Sequence, residues 1–391
     1  MKNVLVVGAG FSGSIIAREL AEKSNVNITV VDKRNAVGGN MYDELDEHNI
    51  RVQKYGPHVL VTNEWKVIDY LSKFSEFYKY NVKEVSLIDG KFVRLPFNFE
   101  SLQQLVGPEN SQQLISLMRK EYAGRDRVPI YELLNSSVKE ISDFANLLYH
   151  KSFVNYCSKQ WDVPTKDLHP SIMGRSAFVI GYDERYMNKD FQFLPKNGFT
   201  DLFKNLLNHK SIKVKLNENA LDGLVLNNDS KEIFYKGCKV DILVFTGPID
   251  ELFNCQFGEL PYRSLNIKYE WFNKERIYDC PIVSCPQAEG YTRQTEYKFL
   301  MEDYSQAKGT VIATEYPIAY KKEEGTTPFY PIIIDNNLIN YGKYLELAST
   351  YKNLFLCGRL AEFKYYNMDD CILNAFNISK NILDFISKEV L

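Results

Sequence analysis

The sequence VLVVGAGFSG at residues 4–13 is followed by a helical stretch and then by ITVVD at residues 28–32. An apolar strand, a glycine-rich turn, a helix and a second strand ending in an acidic residue form the βαβ unit that binds dinucleotides. The glycines allow a tight turn close to the pyrophosphate, the helix N-terminus faces the phosphate charge, and the acidic residue accepts from a ribose hydroxyl. This pattern predicts cofactor contacts at Gly8, Gly10, Phe11, Ser12, Gly13 and Asp32.

A second glycine turn lies directly after this unit, in KRNAVGGN at residues 33–40. A glycine pair at this place is typical of FAD-binding proteins rather than of NAD-dependent dehydrogenases, because it brings further backbone amides to the cofactor. The sequence therefore predicts FAD as the cofactor, with Lys33, Gly39 and Asn40 among its contacts.

Composition and charge narrow the classes of partner. The 391 residues carry 47 basic and 50 acidic side chains and a net charge of −3, which favours neither nucleic acid nor an anionic membrane. We find no apolar run long enough for a membrane span, and the first strand begins beside the initiator Met, so a cytoplasmic location is expected. Seven scattered cysteines without CxxC spacing predict reduced thiols and no metal site.

The order of strand and helix patterns predicts an α/β fold with three parts. Asp89-Gly90 between two apolar runs indicates a hairpin, residues 101–150 have helical spacing, and residues 354–356 return to a buried strand. We expect an FAD-binding Rossmann-like domain from residues 1–80, 200–260 and 340–391, a small helical insertion at 100–150, and an antiparallel β-sheet substrate domain from 81–99, 151–199 and 261–339.

Short motifs then follow one another along the rest of the chain: KYGPH at 54–58, LPFN at 95–98, KQW at 159–161, TGPID at 246–250, YRSL at 262–265, YTR at 291–293, EYP at 315–317, FYP at 329–331 and GRLAEFKYYNMDD at 358–370. In these motifs and their order, the chain resembles the bacterial UDP-galactopyranose mutases nearly end to end. The resemblance implies an isomerase that interconverts the pyranose and furanose forms of a nucleotide-linked hexose, with N5 of reduced FAD as the nucleophile at the anomeric carbon.

The resemblance also implies roles for individual residues. Arg293 corresponds to the arginine that binds the substrate diphosphate, and Tyr330 and Tyr365 to tyrosines that donate to its oxygens. With His58, whose loop lies against the flavin, they form the implied catalytic set. Further implied cofactor contacts are His58, Arg263, Arg359, Met368 and Asp369; further implied substrate contacts are the base-stacking Phe153 and Tyr156, the sugar-side Trp161, and the positions of Val61 and Phe191.

Several pocket positions depart from the family pattern. Val61 stands in place of a histidine, Phe191 of a tyrosine, Cys157 of a threonine, Val179 of a second diphosphate arginine and Asn367 of an aspartate. Arg175 or Arg185 is a candidate to supply the missing guanidinium. Because Val61 is apolar, a sugar lacking a hydroxyl is favoured there, and dTDP-fucopyranose is an alternative substrate to UDP-galactopyranose.

Two other interpretations remain open from the residues alone. A flavin oxidoreductase of the amine-oxidase type shares the glycine motifs, although it has no use for a diphosphate clamp. A non-catalytic FAD-binding homologue would explain Val61 and Val179. The expected partners are a nucleotide sugar and a second copy of the chain in a homodimer.

Overall fold

The structure is a computed structural model that describes residues 1–164, 177–185 and 189–388. Arg175 lies outside the described residues. The described strands are β1 Lys2–Val7, β2 Val26–Val31, β3 Asp43–Leu45, β4 Arg51–Gln53, β5 Leu60–Thr62, β6 Phe77–Lys79, β7 Glu84–Ile88, β8 Lys91–Leu95, β9 Arg127–Pro129, β10 Ala177–Val179, β11 Phe191–Pro195, β12 Ile212–Lys215, β13 Leu224–Leu226, β14 Ile233–Tyr235, β15 Cys238–Val240, β16 Ile242–Phe245, β17 Tyr262–Phe272, β18 Ile282–Ser284, β19 Arg293–Glu296, β20 Thr310–Ala319, β21 Tyr330–Pro331 and β22 Leu354–Leu356. The described α-helices are α1 Phe11–Lys23, α2 Trp65–Leu71, α3 Phe99–Val106, α4 Pro108–Glu121, α5 Ile130–Leu134, α6 Lys139–Leu148, α7 Val154–Trp161, α8 Phe199–Leu207, α9 Ile249–Leu252, α10 Asp335–Ser349 and α11 Met368–Lys388.

A five-stranded parallel sheet carries the glycine-rich turn. Its order is β12-β2-β1-β16-β22, so the chain enters it from three separate regions of the sequence. Both faces are buried: Val4 and Val6 pack with α1 and α11 on one side, whereas Leu5 and Phe245 pack with α10 on the other. A parallel sheet covered on both faces explains why its strands are almost wholly apolar.

A second, seven-stranded sheet has the order β21-β17-β20-β19-β18-β7-β8. Its neighbours are antiparallel except for β7 and β18, which are parallel. The hairpin predicted at Asp89-Gly90 joins β7 to β8, and both turn residues have positive φ, as a tight two-residue turn requires.

The helical segment packs on the β7–β8 end of this sheet. Helices α3 to α6 bury Leu102, Met118 and Phe144 together with Val93 of β8. A π-helical turn at Tyr149–Phe153 then connects α6 to α7. Among the described helices, none is both long and apolar enough to cross a lipid bilayer.

One strand lies elsewhere than expected. Phe191–Pro195, which we assigned to the substrate domain, pairs antiparallel with β5 and β6 of the N-terminal segment. The side chain of Leu194 is buried in the same core as α1 and α8. The short run FQFLP contains no feature that identifies its pairing partners, which are more than 110 residues away in the sequence.

Candidate active site

A cleft that is partly open to solvent lies at the carboxyl ends of the parallel strands. This is where open α/β sheets bind their ligands. Eleven of the predicted cofactor residues line it: Gly8, Gly10, Phe11, Ser12, Gly13, Asp32, Lys33, Gly39, Asn40, Arg359 and Met368. The three remaining ones, His58, Arg263 and Asp369, are not among its lining residues.

The glycines of the cleft are required by close backbone contacts. A Cβ atom on Gly13 would lie 2.0 Å from the carbonyl oxygen of Gly8, and one on Gly8 would lie 2.0 Å from Thr246 Oγ1. A Cβ on Gly39 would lie 3.0 Å from the Cα of Gly10, so the two glycine turns touch through their backbones. Helix α1 has no side-chain N-cap, which leaves the amides of its first turn for an anion. This cradle fits a dinucleotide.

Asp32 and Arg34 form the next part of the cradle. The Asp32 carboxylate accepts from the backbone N–H groups of Ala9 (2.8 Å) and Arg34 (2.9 Å), which fixes it at the mouth of the cleft. The Arg34 guanidinium stacks on Tyr55 at 4.1 Å and donates to Asn40 at 2.9 Å. Its buried Nη1 has no hydrogen-bond partner among the described residues, as expected if it binds a ligand anion. Arg34 was not among the cofactor contacts predicted from the sequence, although it lies directly after Lys33.

The carboxyl ends of β12, β16 and β22 supply further lining residues. The turn Thr246–Pro248, which follows β16, lines the cleft, and so do Gly358 and Arg359, which follow β22. Asn219 to Leu221, which lie just beyond β12, were missed. These residues could have been found from their position just beyond β12, because ligands bind at the carboxyl ends of parallel strands and β12 pairs in parallel with β2.

Asp369 is not among the residues that line the cleft. It is the second residue of α11, and its carboxylate forms an ion pair with Lys189. Met368, one residue earlier, lines the cleft instead. The side chain of Asp369 therefore fastens α11 to the segment that leads into β11.

Arg293 and Glu315 face one another on adjacent strands of the second sheet. They are directly paired in the register of β19 and β20, and the Arg293 Nε and Nη2 donate to the two Glu315 oxygens at 2.9 and 2.8 Å. Burial lowers the pKa of the Arg293 guanidinium, but the carboxylate raises it further, so the guanidinium stays charged. The side chain of Arg293 keeps 21% of its surface exposed, and its Nη1 edge is not used by Glu315. This edge can bind a second anion.

His58 is a neutral imidazole held by its own loop. Its Nδ1 lies 2.8 Å from the carbonyl oxygen of Gly56, and the amide side chain of Gln53 pairs with its backbone. Burial, with the positive charges of Arg359 and Arg293, lowers the pKa of His58 to about 4. With Nδ1 as the donor to Gly56, the other ring nitrogen is an acceptor at neutral pH.

Three aromatic rings predicted at the site lie together. Tyr330 and Tyr365 are stacked at 5.5 Å with an interplanar angle of 11°, and Trp161 lies 5.9 and 5.8 Å from them. Arg359 places its guanidinium 4.8 Å from the Tyr330 ring centre. Because Arg359 also lines the cleft, it connects the cofactor cleft to this aromatic group.

Arg263 does not contact the cleft that we expected it to bind. Its guanidinium donates to the carbonyls of Lys159 (3.0 Å) and Gln160 (2.9 Å) and pairs with Asp162, so it caps the end of α7. Lys159 in turn donates to three carbonyls, those of Cys285, Ala288 and Tyr291. These two cations hold α7, which carries Trp161, against the second sheet.

The expected base-stacking residues lie on and before α7. Phe153 packs on Phe97 at 5.7 Å in the core of the helical segment, whereas Tyr156 lies near enough to Arg293 to raise the pKa of that guanidinium. Of these two residues, only Tyr156 thus lies close to Arg293, the residue implied to bind the diphosphate.

Val61 and Phe191 lie on opposite faces of the small sheet. Val61 is opposite Gln192, and Phe191 is opposite Thr62 and packs on Trp65 at 5.3 Å. Because successive residues of a strand point to opposite faces, the two side chains cannot line one pocket.

Two positions were considered for a second diphosphate arginine, Val179 and Arg185, and neither offers an unpaired guanidinium beside Arg293 among the described residues. Val179 is a buried residue of β10, paired with Arg127 of β9. The guanidinium of Arg185 is bound by Asp183 and Asp190.

A family model described as UDP-galactopyranose mutase matches residues 151–365, more than half of the chain. The chain belongs to the UDP-galactopyranose mutase family. The UDP-galactopyranose mutase of Mycoplasma genitalium is 32% identical over 97% of this chain and 95% of its own length. The dTDP-fucopyranose mutase of Escherichia coli is 31% identical over 97% and 98% of the two chains.

The fold agrees with this family. A model described as an NAD(P)-binding Rossmann-like domain matches residues 6–74. The crystal structure of a reduced UDP-galactopyranose mutase superposes with a TM-score of 0.70 at 14% identity, covering 98% of this chain and 96% of the other. The predicted fold class and family are confirmed. The protein is a flavin-dependent sugar-nucleotide mutase and hence an isomerase, and membership in this family argues against the amine-oxidase-type interpretation.

Proposed function

We propose that the protein interconverts the pyranose and furanose forms of a nucleotide-linked hexose with FAD in its reduced state. The observation that carries the proposal is the charged Arg293, whose Nη1 edge is not used by Glu315 and which lies close to aromatic residues that Arg359 connects to the cofactor cleft. When bound, a reduced flavin would supply the nucleophile at the anomeric carbon.

The chain's own residues hold the leaving group. Arg293, kept in place by Glu315, binds the diphosphate, and the hydroxyls of Tyr330 and Tyr365 donate to its oxygens. A diphosphate that is released and later reattached must stay in the site, so a fixed guanidinium is better suited than a mobile ammonium. Trp161 and Tyr156 pack on the sugar and base sides, and neutral His58 lies near the positive charges of Arg359 and Arg293.

UDP-galactopyranose and dTDP-fucopyranose are the two candidate substrates. The relatives described above include mutases of both kinds at nearly equal identity. The apolar Val61 favours the 6-deoxy sugar, because a hydroxyl placed against it would lose its hydrogen bonds. We therefore propose the dTDP-linked sugar as the alternative to UDP-galactopyranose.

An assay of purified protein with both sugar nucleotides tests these proposals. We expect conversion after reduction with dithionite and none with oxidised flavin. Consumption of oxygen without ring contraction would instead support an oxidase, and a protein that binds flavin but converts neither nucleotide would support a non-catalytic homologue. Much faster conversion of UDP-galactopyranose than of dTDP-fucopyranose would remove the 6-deoxy alternative. The homodimer and the cytoplasmic location stay predictions.

A further inference from the structure

Glu84 is a buried carboxyl group on the sheet face that carries Arg293. It begins β7 and is 4% exposed. In the sheet register, Ser86 lies opposite Ser284, and Ser284 lies opposite Arg293. Cross-strand partners share a face and alternate residues return to it. Glu84, Ser284 and Arg293 therefore project from the same face.

The Glu84 carboxyl has a hydroxyl partner instead of a cation. Ser284 Oγ lies 2.5 Å from Glu84 Oε1, whereas the Nε and Nη2 of Arg293 are directed at Glu315. Across the described ranges, no basic side chain forms an ion pair with Glu84. The carboxyl groups of Glu84 and Glu315 are thus both near the Arg293 guanidinium, and Glu315 is the one that forms the ion pair with it.

The charges around Glu84 favour its uncharged form. Burial raises the pKa of the Glu84 carboxyl, the positive charge of Arg293 and the Ser284 hydroxyl lower it, and the Glu315 carboxylate raises it again. The other titratable neighbours are the thiols of Cys280 and Cys285, which flank β18. Because burial is the largest of these contributions, the net shift of the Glu84 pKa is upward.

We infer that Glu84 is a positioning residue for the diphosphate site, holding a carboxylic acid beside Arg293 so that one carboxylate, and not two, competes with the diphosphate for the guanidinium. The inference rests on the proposed role of Arg293. Ser86 and Thr295 lie on the same face of the sheet, and their buried hydroxyl oxygens have no hydrogen-bond partner among the described residues.

The charge state of Glu84 then controls nucleotide affinity. When Glu84 loses its proton, a second negative charge faces Arg293, and the diphosphate is repelled. Binding of the diphosphate in turn raises the pKa of Glu84 and favours proton uptake, by thermodynamic linkage. Affinity for a nucleoside diphosphate should therefore fall as the pH rises through the titration of Glu84.

The experiment measures dissociation constants of dTDP and UDP for the full-length flavoprotein over a series of pH values that extends upward from the ordinary pKa of a glutamate, because burial raises the pKa of Glu84. In E84Q the amide imitates the uncharged acid. We expect E84Q to bind as tightly as wild type at low pH but to lack the extra weakening at high pH, which approaches about tenfold per pH unit. The titration of the nucleotide itself is common to both proteins and cancels in the comparison.

Two further variants sharpen the result. S284A removes a donor that stabilises the carboxylate, so the fall in affinity should move to higher pH. E296Q changes a buried glutamate on the opposite face of β19 and should keep the wild-type curve. If E84Q does not fold, the shift in S284A decides the question.

Coincident curves for wild type and E84Q, weak binding of E84Q at every pH, or an unshifted S284A would each overturn the inference. Conversion of sugar nucleotides is measured separately. A protein that binds dTDP or UDP with the expected pH dependence but converts no sugar contradicts only the proposed function. Active wild type whose binding curve matches that of E84Q contradicts only the role of Glu84. Failure of wild type to bind either nucleotide contradicts both.

Discussion

The Arg293 guanidinium and the Glu315 carboxylate form a two-point ion pair across adjacent strands, with both donor–acceptor distances below 3.0 Å. The pair occupies one edge of the guanidinium and leaves the other for a ligand. Orientation and charge are therefore set before the substrate arrives, which is how an enzyme avoids ordering its binding groups during the reaction.

Replacing Arg293 should separate diphosphate binding from flavin binding. Arg293→Lys keeps a positive charge but loses the planar fork, and Arg293→Ala loses both. We expect kcat/KM to fall by an amount equivalent to about 2–5 kcal/mol in the alanine variant, with a smaller loss in the lysine variant. Steady-state kinetics with reduced enzyme measure the effect, and the flavin absorption spectrum should be unchanged. A normal rate in Arg293→Ala would show that another residue binds the diphosphate.

The hydroxyl and the ring of Tyr330 should contribute separately to substrate binding and to flavin binding. Tyr330→Phe keeps the stack with Tyr365 and Arg359 but removes the donor, which should raise KM by about 5- to 10-fold. Tyr330→Ala also removes the ring beneath the guanidinium and should cost more, including in flavin affinity. Steady-state kinetics measure the loss in KM, and titration of the apoprotein with FAD measures the loss in flavin affinity, which we expect only in Tyr330→Ala. Equal kinetic losses in both variants would show that the ring contributes nothing.

The folded protein should lose stability in acid because of His58. Its folded-state pKa of about 4 lies below the ordinary value of 6.5, so the unfolded chain binds a proton that the folded chain rejects. The contribution is complete above pH 6.5 and is lost as the pH falls towards 4, by roughly 3 kcal/mol. Urea unfolding of wild type and His58→Gln at several pH values should show a shallower acid loss in the variant. Parallel curves would place His58 in contact with water.

Gly13→Ala should abolish the cofactor cradle. The new methyl group would lie 2.0 Å from the Gly8 carbonyl, which belongs to the backbone of the turn and cannot move aside without displacing it. We expect protein purified without flavin and destabilised by about 1–3 kcal/mol. Flavin content and thermal unfolding measure this. Gly181→Ala is the matched control, since a Cβ there meets no atom within 4 Å; full flavin content in both variants would contradict the prediction.

The N-terminal unit could be predicted because its function depends on local backbone geometry. Gly8, Gly10 and Asp32 belong to one continuous βαβ segment, and their spacing alone defines the turn, the helix start and the acidic residue. The contact between Gly10 and Gly39 follows from the same segment. Arg34 was missed because a basic residue in a loop has no periodicity that separates a buried side chain from an exposed one.

The sequence carries less information where the site depends on long-range packing. Arg263 lies in a motif, but only the folded chain shows that the end of α7 covers it. Val61 and Phe191 were both predicted as substrate contacts, yet the register between β5 and β11 places their side chains on opposite faces of the sheet. Glu84 has no sequence signal at all, since its relation to Arg293 depends on the pairing of β7, β18 and β19.

The walls of the cofactor cleft come from residues 7–41, from residues 219–251 and from residues 328–371. During synthesis on a ribosome, the first glycine turn is therefore made long before Gly358, Arg359 and Met368 exist. A nascent chain cannot complete this cleft before Met368 has been made, so the flavin site is finished only when all three regions are present. Any truncation before α11 should consequently yield an apoprotein, however complete its N-terminal motif.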